Sequence, residues 1–257
     1  MEAASSEVLL KKPGFVDGAR KSWAIAVKDM KIYYFKPAIL IFGMLFPVTI
    51  FFAFMMGRNV EAVTLFPGLI ALTLFFSTTT VAPFSIPWER MSKTFERLLF
   101  APVSLTELAL GKTISSLVFG LVMSIVPLLI GVILFGSSVA NVLALALGII
   151  LGNACISNLG TLVSTVGSET PQNVMLLLNL VRLPMMFISG IFIPISQLPT
   201  WGRVISWFSP VSYVVDLLRR GLGFKDYFGP VISSVMLVVF GLAMFALSVL
   251  RMKGWNR

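Results

Sequence analysis

The sequence predicts an all-α integral membrane protein: six transmembrane helices, a helix lying in the membrane surface before the first, and a short charged helix between the second and third. Composition is the first reason. Of the 257 residues, 57% are hydrophobic and 12% charged, about half the charged share of a soluble domain. Run length is the second. Uncharged stretches of about 20 residues recur, long enough to cross the hydrocarbon as helices and unlike the ten-residue alternation of barrel strands. The third is residues 113–168, which carry no charge; as one helix they would extend over about 80 Å, so they hold two spans.

In chain order, residues 1–36 form a tail and a connector helix. Over residues 17–36, Trp23, Val27, Met30 and Tyr34 fall on one stripe with Lys21 and Lys28 opposite, the pattern of an amphipathic helix in the headgroup plane. Asp17 suits its N-cap, and Pro37 suits the first position of span one. This charged beginning has no apolar core before a small-residue cleavage site, so it is not read as a signal peptide. Residues 37–257 form a single transmembrane domain, with spans over 37–56, 62–87, 106–135, 139–167, 173–193 and 227–250. Turns are read at residues 57–61, at Gly136, Ser137 and Ser138, and at residues 167–172. In span four, Gly148, Gly152, Gly160 and Ser164 stand in a row at multiples of four, a spacing that lets helix backbones approach closely in lipid. Residues 194–226 are interrupted by Pro194, Pro199 and Pro210, and read as short re-entrant helices that dip into the outer leaflet.

Charge sets the orientation. With both termini in the cytoplasm, fourteen Lys and Arg lie inside and five outside (Arg58, Arg203, Arg219, Arg220, Lys225), with Arg182 inside a span. The positive-inside bias favours this arrangement in the cell membrane. The net charge of +9 sits beside the spans, where it serves orientation and contact with anionic lipid; it does not call for nucleic acid.

Residues 88–102 are the exception to the apolar pattern. Glu89, Arg90, Lys93, Glu96 and Arg97 are ionised within nine residues. On a helix, Glu89 and Lys93 lie one turn apart, while Met91, Phe95, Leu98 and Leu99 form an apolar stripe. Such a segment lies on lipid, buries against the chain's own spans, docks on another protein, or is a solvated cytoplasmic loop that only holds topology.

The chemistry that could power transport is sparse. Cys155 is the only cysteine and histidine is absent, which excludes an intrachain disulfide and argues against zinc. No Asp or Glu is read at depth in a span, so a proton relay is hard to build, and intramembrane hydrolysis lacks a base. Gly111-Lys112-Thr113 resembles the end of a phosphate-binding loop, but Thr106 stands where that loop needs glycine and no strand precedes it. The chain therefore has no ATPase motif and is not read as an enzyme; energy must arrive through a partner.

Two blocks carry a family resemblance. Glu89-Arg90, Thr94 to Leu99, Pro102 to Ser104 and Gly111-Lys112 resemble the cytoplasmic loop of the ABC transporter type 2 permease family. Downstream, the matching positions are Ser189 to Pro194, Leu198-Pro199, Trp201, Ser209-Pro210, Tyr213, Asp216 and Arg219. Met91 and Lys93 depart from that family's usual Glu and Gly. The resemblance implies the transmembrane subunit of an ATP-driven exporter with the fold of the G-type exporters. Two such subunits, forming a dimer, pair with separate ATPase subunits, which bind the ATP and Mg2+; this chain itself binds no cofactor. Residues 88–102 would then be the coupling helix, with Glu89, Arg90, Lys93, Thr94, Phe95, Glu96, Arg97, Leu98 and Leu99 as the contact.

A substrate cavity is sought within the spans. Arg182 is expected to face a cavity or partner, because a charge at depth costs about 2.5–3.5 kcal/mol on insertion scales. It is open to two roles: contact with an anionic or polar group alongside Asn179, or a structural pair. Ser77, Thr78, Thr79 and Thr80 either line the same cavity or bond back to their own helix. Met185 and Met186 offer an adaptable surface or plain packing. The expected function is export of a hydrophobic or amphiphilic drug or lipid. The alternatives are polysaccharide, glycolipid or sodium export, or a non-transporting scaffold or sensor.

Overall fold

The computed structural model describes residues 15–34, 36–56, 62–166 and 170–254; the predicted turns at 57–61 and 167–169 lie outside them. Among the described residues the chain is helical, with no strand. In order the helices are α1 (Phe15–Asp29, continued by a wider turn over Met30–Tyr34), α2 (Pro37–Met55), α3 (Ala62–Met91), α4 (Phe95–Phe100), α5 (Leu105–Phe135), α6 (Val142–Ser164), α7 (Pro171–Ile188), α8 (Thr200–Ser206), α9 (Pro210–Gly221) and α10 (Pro230–Lys253). Five of these (α3, α5, α6, α7 and α10) are long and apolar enough to cross a membrane, and α1 with α2, bent by 93°, makes a sixth only when counted as one broken span. This is a multi-pass membrane protein.

Each boundary has a local cause. Pro37 opens α2, where its missing N–H and fixed φ cost nothing. Ser104 and Glu107 form a reciprocal capping box at the start of α5: the Glu107 N–H donates to the Ser104 hydroxyl at 3.2 Å, and the Ser104 N–H to the Glu107 carboxylate at 2.7 Å. Gly136 ends α5 in the left-handed region, φ 59°, where glycine has no Cβ to clash.

The core sits on α3. Leu65, Phe66, Leu69, Ile70, Leu72, Leu74 and Phe75 are all buried, packed among α2, α5, α6, α7 and α9. Lipid is as apolar as these side chains, so their gain is mainly close packing. Four hydroxyls on α3 bond back to their own helix: Ser77 donates to the Leu74 carbonyl, Thr79 to that of Phe75, Thr80 to that of Phe76 and Ser85 to that of Ala82. The buried Thr73 hydroxyl has no partner among the described residues.

The glycine row of α6 meets two different partners. A Cβ at Gly152 would fall 2.8 Å from Val214 of α9, and one at Gly148 3.0 Å from Leu217 of α9; one at Gly160 would fall 3.0 Å from Ala82 of α3.

The face that α1 buries against the rest of the protein is offset from the stripe of Trp23, Val27, Met30 and Tyr34 that was read for the headgroup plane. Trp23 is 53% exposed, whereas Ser22, Ile25, Ala26, Asp29 and Tyr33 are buried with Tyr34. The reason is tertiary: α1 lies along the start of α5, where Gly111 has no side chain to hold it off. A Cβ there would stand 2.7 Å from Ile25 and 2.8 Å from the Ser22 carbonyl oxygen. Residues 88–102, in turn, are not one helix. The helix of span two runs on to Met91, Lys93 turns at φ 54°, and α4 occupies only Phe95–Phe100.

Candidate functional site

The site begins with how α4 is hung. The Thr94 N–H donates to the Glu89 carbonyl oxygen at 2.9 Å and the Thr94 hydroxyl to the same oxygen at 3.2 Å, so the last turns of α3 hold the start of α4. Phe95 is buried with Ile25, Ile86, Leu108, Ala109, Val249 and Met252, with Leu98 packed against that cluster. Arg90 lies over the Phe95 ring, 5.4 Å from its centroid. Arg97 and Phe100 face outward, Phe100 at 90% exposure. Glu96 and Leu99 also belong to α4; their side chains lie outside those described. The expected one-turn pairing of Glu89 with Lys93 does not form, because the left-handed turn carries Lys93 off the helix.

Glu89 has other partners. Its carboxylate is 2% exposed and receives Lys112 Nζ at 2.8 Å and Lys28 Nζ at 2.6 Å. The same two lysines meet Asp29: Lys112 at 3.0 Å and Lys28 at 2.9 Å. Lys112 and Asp29 are each 1% exposed, and Lys28 is 34% exposed at the rim. Two cations and two anions thus alternate around a ring built from α1, α3 and α5. Carboxylates buried this completely are costly unless opposite charge and hydrogen bonds meet them.

Arg182, the charge read inside a span, is buried apart from this ring. It sits on α7, 5% exposed, and points at α3. Its guanidinium donates to the Thr79 carbonyl oxygen at 2.8 Å and to the Thr79 hydroxyl. It also stacks over Phe76, 4.4 Å from the ring centroid, where the ring face attracts a cation. Among the described residues no carboxylate lies within ion-pair reach of it, and its Nε has no hydrogen-bond partner.

The other expected cavity residues are not brought to one place. Asn179, one turn before Arg182, faces outward into a groove of about 420 Å³ shared with Trp88, Gln172 and Met175. Met186 is buried and Met185 half-buried, both packed in the main core. Thr78 donates to Asn153 Oδ1 at 2.5 Å. It belongs to a polar seam between α3, α5 and α6, continued by Ser116 with Ser157, Thr113 with Asn158 and Thr161, and Asn158 with the Gly241 carbonyl. The seam was missed in the sequence, although Asn153, Ser157 and Thr161 recur at four-residue spacing. The ring was missed because its members are scattered from residue 28 to residue 112, Lys28, Asp29 and Glu89 near helix ends and Lys112 two turns into α5.

At the opposite end, Asp216 is buried on α9 and receives the N–H groups of Tyr227, Phe228 and Gly229 and the Ser233 hydroxyl. It caps α10, whose own first residues supply no side-chain cap. Burial pushes this carboxyl up, and the Tyr227 N–H and the Ser233 hydroxyl pull against that shift. Beside it a cavity of about 400 Å³ is lined by Ser196, Gln197, Arg219, Lys225 and Asp226.

Comparison with known proteins bears on this architecture. The family model described as ABC-2 type transporter matches residues 19–222. The chain is 24% identical over 155 residues to the "Probable multidrug ABC transporter permease YbhR" of Escherichia coli K12; that match takes in 60% of this chain and 42% of the relative, less than half of its length. It is 25% identical over 181 residues to the "Inner membrane transport permease YadH" of the same strain, covering 70% of each.

Proposed function

This chain belongs to the ABC-2 type transporter family, and on that premise we propose that it is the permease subunit of an ATP-driven exporter. A separate ATPase subunit binds ATP and Mg2+ and docks on α4, which acts as the coupling helix. The observation that carries this reading is the build of α4 itself. Phe95 anchors it from within while Arg97 and Phe100 project from its free side, a charged and an aromatic group of the kind that fill pockets on a partner. The positive-inside bias of the loops supports a cytoplasmic position for α4 and both termini. The segment between α7 and α10, with its two short helices and the capping contact of Asp216, then forms re-entrant structure at the outer surface.

A second permease subunit fits against α7. Leu176, Leu180, Leu183 and Phe187 are exposed there, yet α7 is the least apolar of the five candidate spans, with Gln172, Asn173 and Asn179 also outward. A face of that mixed kind suits a protein partner or a wet cavity better than lipid. The cargo is a hydrophobic or amphiphilic molecule, a drug or a lipid, which the name of the YbhR relative supports; alternating exposure of the space between two subunits moves it outward.

The test is co-purification with the ATPase subunit. Arg97→Glu combined with Phe100→Asp leaves membrane insertion unchanged and releases the ATPase. If the ATPase stays bound to that variant, or none accompanies the unmodified chain, α4 is not the docking element.

A further inference from the structure

Resting on that reading, we propose that Lys28, Asp29, Glu89 and Lys112 are the positioning residues that pass the movement of α4 to the membrane. As a closed ring, they clamp α1 to both roots of the hairpin that carries α4, so α1, α3 and α5 move together.

The topology supplies the first argument. Glu89 lies two residues before the end of α3 and Lys112 within the first turns of α5, so they are the two legs on which α4 stands. Lys112 ties these legs to each other through Glu89 and ties the second leg to α1 through Asp29, at 2.8 and 3.0 Å. Lys28 closes the circuit from the rim at 2.6 and 2.9 Å. Glu89 accepts a hydrogen bond on each oxygen from a different lysine. Asp29 accepts one from Lys112 on Oδ2, while its Oδ1 lies 2.9 Å from Lys28 Nζ as an ion pair without a hydrogen bond.

Glu89 supplies the second. Its carbonyl oxygen holds the Thr94 N–H and hydroxyl at the start of α4, while its carboxylate sits in the ring. A pull on α4 therefore reaches the ring through one residue. The remaining contacts of α1 lock the same unit. The Ser22 hydroxyl donates to the Glu107 carbonyl at 3.1 Å, Lys21 donates to the Pro102 carbonyl at 2.6 Å, and Gly111 admits Ile25 against α5.

Burial supplies the third. Exposed ion pairs hold geometry weakly, because water competes and the side chains are free to move. Here three of the four side chains are 1–2% exposed, so separating the legs would strand a charge away from water. Buried ion groups add little stability over apolar packing, and fixing one arrangement is a use attested in other systems. A ring across three helices resists shear between them, which a joint delivering force requires.

The experiment uses the complex of the full chain with its ATPase subunit in lipid vesicles. Single cysteines at Ser196, Trp201 and Tyr227, in a Cys155→Ala background, report the opposite end through labelling by a membrane-impermeant maleimide, with and without ATP plus vanadate. Glu89→Gln with Lys112→Met opens the ring but leaves Asp29 paired with Lys28, so no charge is stranded. This double variant keeps the ATPase bound and its basal hydrolysis, while the nucleotide-driven change in labelling rate falls at least about fivefold, the low end of ordinary coupling between sites. A change in labelling equal to wild type overturns the proposal and leaves the ring a structural feature. Loss of the ATPase from the double variant also overturns it, by making Glu89 part of the docking surface. A wild-type complex whose labelling never responds to nucleotide overturns the exporter reading itself.

Discussion

Near the end of α3, Glu89 meets two lysines and shares them with Asp29. Three turns earlier on the same helix, Thr79 meets Arg182, and the partners there among the described residues are a hydroxyl, a carbonyl oxygen and the faces of two phenylalanines. Both places bury charge almost completely. The ring does so with opposite charges whose attraction is strong where water is excluded. Arg182 does so with dipoles and ring quadrupoles that remain neutral when it is removed. The first arrangement is brittle, since losing one member leaves another uncompensated. The second is tolerant, since losing Arg182 strands nothing charged.

The largest expected effect follows from that brittleness. Lys112→Met leaves Asp29 and Glu89 to one half-exposed lysine and should destabilise the protein by about 3–5 kcal/mol, the usual result of removing one partner of a buried ion pair. Thermal melting in detergent measures it, and a melting temperature equal to that of the parent would contradict the ring's energetics. Next comes Gly111→Val, which pushes α1 off α5 beside the ring. Overpacking of this kind costs about 1–3 kcal/mol, and amide exchange in α1 should rise before exchange in α6 does.

Arg182→Leu sharpens the comparison from the other side. Thr79 keeps its hydroxyl bond to the Phe75 carbonyl, but its own carbonyl loses the Arg182 donor and faces Pro83 one turn on, which has no N–H to offer. The variant should cost about 1–3 kcal/mol, the range for a buried acceptor left unsatisfied. If Arg182 also contacts cargo, the variant keeps its assembly but changes which drugs stimulate the ATPase; an unchanged panel assigns it to packing alone. The smallest effect belongs to Arg220 and Asp226, 3.6 Å apart with Arg220 half exposed. Arg220→Gln should cost less than about 1 kcal/mol, and high salt should erase that difference while leaving the ring's contribution largely intact.

The helical membrane class was legible from composition and run length, since 57% hydrophobic residues in long uncharged runs have few other homes. The left-handed stop at Gly136 and the close approaches of Gly148 and Gly152 were legible too, because a missing Cβ acts locally. The outward side of α4 was visible only in outline. Charge density marked residues 89–97, but nothing in a linear pattern tells that Lys93 leaves the helix and that Glu89 turns inward. On α1 periodicity identified an amphipathic helix but not the second face it buries against the protein, which Gly111 on another helix made possible.

What the amino-acid order determined by itself is where this chain must leave water, because hydrocarbon accepts an uncharged helix and little else. Which charges could follow it inward was decided only by the tertiary structure. Asp29, Glu89 and Lys112 are ordinary charged residues when taken singly. They become tolerable out of water because three helices bring both carboxylates within 3.0 Å of the Lys112 ammonium, and Coulomb attraction at that range compensates for the hydration each one gives up.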